Sequence, residues 1–290
     1  MNESHSGASS TPSAVARAAE VEIRHLRSGE EYHACVELQR ATWGGEFSER
    51  VPMTILKIAQ RLGGVAAGAF DREGRLLGFV FGMTGLEKGR LVHWSDMLAV
   101  RAEARDLGVG RKLKEFQRDV VRALGVEVIY WSFDPLVARN AHLNLNRLGT
   151  QVVEYVQDMY GDTASDLHDG LGTDRFVVAW WIAGEQPPRR EPGDPSGWKT
   201  LPVLNLAPGE PQQAGVQEPL APGTAELRIQ IPLDIHRVKV DSPMAAAGWR
   251  RVTRQAFLHS FERGYRVSGF YRDDAAERGY YLLTSAEGGG

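Results

Sequence analysis

The stretch Arg105-Asp106-Leu107-Gly108-Val109-Gly110 sets two glycines one residue apart, with Arg105 before them and Arg111 and Lys112 after them. The apolar run LVHWSDMLAV (91–100) precedes it and a long helical pattern follows it. A strand, a glycine turn and a helix in that order make an anion site. The first amides of a helix have no internal partner, and the dipole favours negative charge at that end. Glycines take backbone conformations that a Cβ forbids and let an anion come close to the main chain. Three or four charge-assisted hydrogen bonds, at ~1.5–3 kcal/mol each, would hold a diphosphate. A purely structural glycine turn is the competing reading.

Two other phosphate-binding patterns fail on these residues. A P-loop needs G-x-x-x-x-G-K-[ST], and the chain contains no such string. A dinucleotide fingerprint needs a third glycine where Leu113 stands, and no acidic ribose-binding residue follows in a matching unit. The pattern R/Q-x-x-G-x-G/A is met in full.

Other reactive side chains give weaker signals. Cys35 is the only cysteine, which rules out an intrachain disulfide and a thiolate-cluster metal site. It falls on the apolar side of a helix with Tyr32 and Leu38, so it reads as a small buried hydrophobe, with a nucleophile as the alternative. Asp166, His168 and Asp169 lie close together but lack a further ligand cluster, so no metal is expected. His142, Asn144 and Asn146 form either a polar face lining an acceptor pocket or an exposed helix face. Trp180 and Trp181 end an apolar strand, and at least one belongs in a core.

The elements that must position these groups follow from periodicity and punctuation. VEIRHL (21–26) alternates as a strand, and Ser28 with Glu31 forms a capping box for a helix through about Thr42. Pro52 opens a second helix, stopped by Gly63 and Gly64. VAAGAF, DREG and RLLGFVFGMTG read as a hairpin. Then come the strand 91–100, the glycine turn and a helix over about 107–123. The strand 126–133, a helix over LVARNAHLNLNRLG, the strand QVVEYVQDMY and the strand 173–182 complete a layered α/β sheet with helices on both faces.

Residues 1–20 read as a disordered tail, 21–183 as the main domain and 184–225 as a Pro/Gly-rich linker ordered in places. Residues 226–290 form a small C-terminal β-α-β-β unit. About 60 residues is marginal for independent stability, so this unit should dock on the main domain or on a partner subunit. Its excess of Arg and Lys reads as a solvated helix face, with help in holding an anionic ligand as the alternative.

With 34 Lys and Arg against 37 Asp and Glu, the net charge of −3 argues against a nucleic-acid partner recognised through a basic surface. No apolar run approaches the ~20 residues needed to span a membrane, and the polar N-terminus lacks a signal-peptide core. A cytoplasmic location is expected.

In this context the turn resembles motif A of the GNAT acyltransferase superfamily: a strand ending in MLAV, R-x-x-G-x-G, then an amphipathic helix. FDPLVARNAHLNLNRLG is similar to that superfamily's second motif. WSFDPLVARNAHLN and SDLHDGLGTDRFVVAWW resemble a bacterial group of predicted acetyltransferases, and the resemblance covers most of the chain. It implies the GNAT fold, a mixed and mostly antiparallel sheet. It also implies an acyl-CoA co-substrate, acetyl-CoA or another such as succinyl-CoA. The pantetheine arm would pair with main chain at Leu98, Ala99 and Val100. The diphosphate would sit over Arg105, Gly108, Val109, Gly110 and Arg111. Asn140 would reach the cofactor, or alternatively cap its helix.

The same resemblance implies transfer of the acyl group to a small amine or amino acid, with a homodimer as one candidate assembly. Such chemistry needs a neutral nucleophile. A lysine-like ammonium is neutral at a cost of ~4.6 kcal/mol at pH 7, a peptide α-amine at under ~1.5 kcal/mol. Asp96, on the strand before the turn, is the candidate base; alternation puts it on the side of Leu98, with His93 and Ser95 opposite. A strand aspartate satisfied by its neighbours is the alternative. Members of the bacterial group carry histidines where this chain has Trp94 and Asp96. The tyrosine that many family members place four residues before the second-motif glycine is Leu145 here, which cannot donate a proton. Tyr130, Tyr155 and Tyr160 are candidate replacements, and a non-catalytic CoA-binding sensor or regulatory module is the alternative function.

Overall fold

In a computed structural model, residues 21–105, 107–161, 171–184, 197–205 and 224–285 are described. The N-terminal segment 1–20 and the Asp166, His168 and Asp169 cluster lie outside them.

Strand β1 (Glu22–His25) is followed by α1 (Gly29–Trp43), where Ser28 accepts from the Glu31 amide as the capping box requires. Helix α2 (Met53–Arg61) starts after Pro52, which serves as its N-cap. Strands β2 (Val65–Phe70), β3 (Leu76–Glu87) and β4 (Arg90–Val100) run antiparallel in sequence. Helix α3 (Val109–Ala123) crosses to β5 (Val128–Phe133). The expected second-motif helix is two pieces, α4 (Ala138–Ala141) and a π-helical segment His142–Leu148, closed by left-handed Gly149. Strands β6 (Gln151–Val156) and β7 (Arg175–Trp181) complete a seven-stranded sheet ordered β1-β2-β3-β4-β5-β7-β6.

Every neighbouring pair in this sheet is antiparallel except β4 and β5. A parallel pair needs a crossover, which α3 supplies. This is the mixed, mostly antiparallel sheet expected from the sequence. The β4–β5 ladder holds only Val92–Val128, His93–Ile129 and Trp94–Tyr130. Beyond it both strands continue without pairing to one another, to Val100 and Phe133.

Helices cover both faces because both are apolar. Under α1 and α2, packed with Cys35 and Leu56 of those helices, lie Leu26, Phe79, Phe81, Met97 and Ala99. Under α3, packed with its own Leu113, lie Val80, Ile129, Trp131 and Phe176.

This second core continues into the C-terminal unit: β8 (Glu226–Pro232), α5 (Ile235–Asp241), α6 (Pro243–Glu262), β9 (Tyr265–Asp273) and β10 (Arg278–Ser285), with sheet order β8-β10-β9. Phe257 of α6 meets Phe176 edge-on at 4.7 Å, and Tyr281 Oη donates to the Pro135 carbonyl at 2.7 Å. The buried Arg250 guanidinium donates to Asp134 at 2.6 Å, while Arg254 binds Asp174 and Asp158. Arg250 and Arg254, part of the Arg and Lys excess read from sequence as a solvated face, are thus ion-paired across the junction of the two sheets. Within the linker, Trp198 stacks on Tyr271 at 4.8 Å, and Asn205 exchanges hydrogen bonds with Gln230. Among the described residues no helix is long and apolar enough to cross a membrane.

Candidate functional site

The glycine turn lies at the end of β4 and opens α3, which starts at Val109 rather than near 107. Gly108 is the N-cap, with φ +71° and ψ 9°, a left-handed conformation that L side chains rarely adopt. Among the described residues, no side chain caps this helix. The first intrahelical bond at this end runs from the Lys112 amide to the Gly108 carbonyl, at 3.0 Å. Among the described residues, the amides of Val109, Gly110 and Arg111 therefore have no acceptor, as an anion cradle requires.

The two glycines differ in what surrounds them. A Cβ at Gly108 would meet nothing within 4 Å and would project into open space. A Cβ at Gly110 would make ordinary contacts, 3.8 Å from Leu98 Cδ2 and from Val100 Cγ2. Arg105 is exposed and, among the described residues, has no ion pair. Arg111 is exposed and bound to Glu115 at 2.8 Å, one turn along.

Leu98, Ala99 and Val100 pair with Val80, Phe79 and Gly78 of β3. Among the described residues they have no strand partner on the β5 side, which leaves that edge of β4 open to a ligand's amides. Asn140 lies in α4, three residues after its N-cap, Val137, so it is not the cap. Among the described residues its side chain has no hydrogen-bond partner.

Asp96 occupies a β-bulge. Phe81 pairs with Met97 and Gly82 with Ser95, leaving Asp96 as the extra residue. The bulge reverses the alternation of β4. His93 and Ser95 hydrogen-bond to α3, and Leu98 also lies on that side, against Gly110, while Met97 and Ala99 enter the core under α1 and α2. The expected grouping of Asp96 with Leu98, opposite His93 and Ser95, is corrected on this point. Asp96 is exposed beside Trp94 and Glu49. The surrounding protein raises its carboxyl above the usual aspartate range and the Glu49 charge adds to this, while a hydrogen bond with Trp94 opposes it.

The weaker candidates resolve into structural roles. Cys35 is fully buried, and burial pushes its thiol up to about 12, which removes it as a nucleophile. Asn144 is buried and accepts from the Trp131 indole at 3.2 Å, and Asn146 donates to the Phe270 carbonyl at 2.8 Å, so neither lines an open acceptor pocket. Leu145 packs against the core. Tyr155 is tied to Asp174 within that core, whereas Tyr160 is exposed and shares a 2.8 Å hydrogen bond with Ser132. Among the described residues no group of His, Cys, Asp and Glu could hold a metal.

One cluster was not anticipated. His93, Ser95, Lys114 and Gln117 are all buried between β4 and α3. The Thr84 hydroxyl donates to the Gly63 carbonyl at 2.7 Å, so its contact with His93 Nδ1 at 2.9 Å makes Nδ1 the donor. His93 Nε2 then accepts from Gln117 Nε2 at 3.0 Å, and the ring is neutral. Burial, with the Lys114 charge behind it, depresses its pKa to about 3. The signal was available in the helix: Lys114 and Gln117 fall among the buried positions Val109, Leu113 and Val121.

No protein-family model matches the chain, and no curated protein matches it by sequence. Solved structures do. A chain of the NatC complex bound to Gag peptide and CoA is 16% identical, with a TM-score of 0.46 over 57% of this chain and 99% of the other. The ribosomal-protein-S18-alanine N-acetyltransferase from Escherichia coli is 17% identical, with a TM-score of 0.44 over 58% and 99%. An aminoglycoside 6'-N-acetyltransferase complexed with coenzyme A is 15% identical, with a TM-score of 0.44 over 57% and 99%. Likeness at this level says nothing of this chain's activity.

Proposed function

We propose that the chain is an acyl-CoA-dependent N-acyltransferase acting on a small amine or amino acid, with an acetyl or succinyl-type donor. The observation that carries this is the N-terminus of α3, where, among the described residues, no side chain caps the helix, three amides after a left-handed glycine are unclaimed, and the preceding strand has an unpaired edge. The amides of Val109, Gly110 and Arg111, with Arg105 beside them, would hold the diphosphate. The edge of β4 at Leu98, Ala99 and Val100 would guide the pantetheine arm, and Asn140 would reach it from α4.

The reaction this serves is attack of an amine on the thioester carbonyl. Asp96 lies at the bulge where β4 leaves β5, beside Trp94 and Glu49. A carboxylate of raised pKa there is suited to take the proton that the amine loses. The gap between the unpaired strands would let acyl donor and acceptor meet from opposite faces of the sheet.

The test is steady-state release of free coenzyme A from acetyl-CoA and succinyl-CoA with a panel of amines and amino acids. Turnover with at least one pair is expected. Tight coenzyme A binding without turnover would leave a sensor or regulatory module, and no binding would end the proposal.

A further inference from the structure

Among the described residues, the buried cationic side chains are Arg250 and Lys114. Arg250 has Asp134 for a partner; Lys114 has no carboxylate. Its Nζ donates to Ser95 Oγ at 2.7 Å and sits 3.7 Å from the centre of the Trp131 ring. An ammonium has three N–H donors. One goes to Ser95, one faces the ring, and the third is unclaimed among the described residues.

The position of this amine is specific. Trp94 and Tyr130 are the last pair of the β4–β5 ladder. Ser95 and Trp131 are the next residue on each strand, so Lys114 bridges β4 and β5 where they stop pairing. It also belongs to α3, one turn beyond Gly110 in the anion cradle. Along β4, from Val100 beside the cradle to Ser95, the path covers about 16 Å at strand spacing. A pantetheine arm has about a dozen bonds between diphosphate and sulfur and extends to about 15 Å. Such an arm laid on the free edge of β4 ends at Lys114.

Resting on the acyl-CoA reading above, we propose that Lys114 meets the sulfur of the bound thioester and protonates it as it leaves. The acceptor nitrogen bonds to the carbonyl carbon, the C–S bond breaks, and its electron pair goes to sulfur. Lys114 Nζ gives a proton to that sulfur, forming the free thiol, and the proton lost by the nitrogen goes to Asp96. Solvent then returns one proton to Lys114 and takes one from Asp96. Burial lowers the pKa of Lys114 well below the usual lysine value, which makes its ammonium a stronger proton donor.

The experiment measures binding of coenzyme A and of desulfo-coenzyme A to the full chain and to Lys114→Met. The wild type should bind coenzyme A at least tenfold more tightly than desulfo-coenzyme A. Lys114→Met should bind both alike, at the wild-type affinity for the desulfo compound, with kcat reduced about a hundredfold and KM for acetyl-CoA unchanged. A second measurement needs no coenzyme analogue: kcat with acetyl-CoA should fall on the alkaline side of its pH profile as Lys114 loses the proton it donates, and Lys114→Met should lack that fall. Coenzyme A bound without sulfur discrimination, or an alkaline fall in kcat that persists in Lys114→Met, overturns this inference alone. Failure of coenzyme A to bind the wild type overturns the acyl-CoA reading and this inference together.

Discussion

Replacing each glycine of the turn by alanine should give opposite results. At Gly108, with φ +71°, alanine meets no neighbour but must hold a left-handed backbone, at a cost of about 1 kcal/mol. At Gly110, inside the first turn of α3, the new methyl would sit 3.8 Å from Leu98 and Val100 in ordinary contact. A helical alanine there should stabilise the free protein by about 0.5–1 kcal/mol. Each kcal/mol corresponds to roughly 2 °C in a chain of this size.

Binding separates the two substitutions further. The methyl at position 108 projects into the open space assigned to the diphosphate, whereas that at 110 points towards β4. Loss of one charge-assisted hydrogen bond, ~1.5–3 kcal/mol, weakens binding by about 10- to 150-fold. The stabilisation by coenzyme A at a hundredfold excess over Kd is about 2.7 kcal/mol in the wild type. It should survive in Gly110→Ala and fall by at least half in Gly108→Ala. Gly108→Asn, which tolerates the left-handed conformation, should recover stability but not binding. Thermal unfolding with and without coenzyme A reads all of this. Wild-type affinity in Gly108→Ala, or equal losses at both positions, would refute the assignment of the phosphate site.

Three further outcomes follow from the same geometry. The raised carboxyl of Asp96 must be ionised to accept a proton, so kcat/KM should climb with pH through an apparent pKa above the ordinary aspartate value. Asp96→Asn should abolish that limb, and an unchanged pH–rate profile would exclude Asp96 as the base. His93 is neutral when folded, with a pKa depressed to about 3, and titrates near 6.5 when unfolded. Its contribution to stability is therefore present above pH 6.5 and is lost as pH falls towards 3, at up to ~1.4 kcal/mol per unit. Urea unfolding across that window should show a shallower slope for His93→Gln; an identical slope would rule out a neutral His93. Arg250→Met strands Asp134 in the junction of the two sheets and should cost about 3–5 kcal/mol, whereas a loss under 1 kcal/mol would mean that the pair does not hold the C-terminal unit.

Local chemistry was legible in the sequence and tertiary chemistry was not. The glycine turn declared itself because left-handed backbone and exposed amides demand glycine at fixed offsets from a strand and a helix. The bulge at Asp96 was hidden because LVHWSDMLAV carries apolar residues on both parities, so a change of face leaves no trace in the pattern. The π-helical segment was equally silent, since i to i+5 bonding takes one extra residue and no distinct composition. Arg250 and Arg254 looked solvated because their partners Asp134, Asp158 and Asp174 are 80 or more residues distant in sequence. Lys114 could have been found as a charge on a buried helical stripe, but its neighbours at the end of the β4–β5 ladder required the fold.

The most direct measurement follows the backbone amide resonances of Val109, Gly110 and Arg111 during titration with coenzyme A, with pantetheine as the control lacking the diphosphate. All three should move downfield to saturation with coenzyme A and stay in place with pantetheine. Saturation of the protein by coenzyme A with these three resonances unmoved would contradict the phosphate cradle at the start of α3.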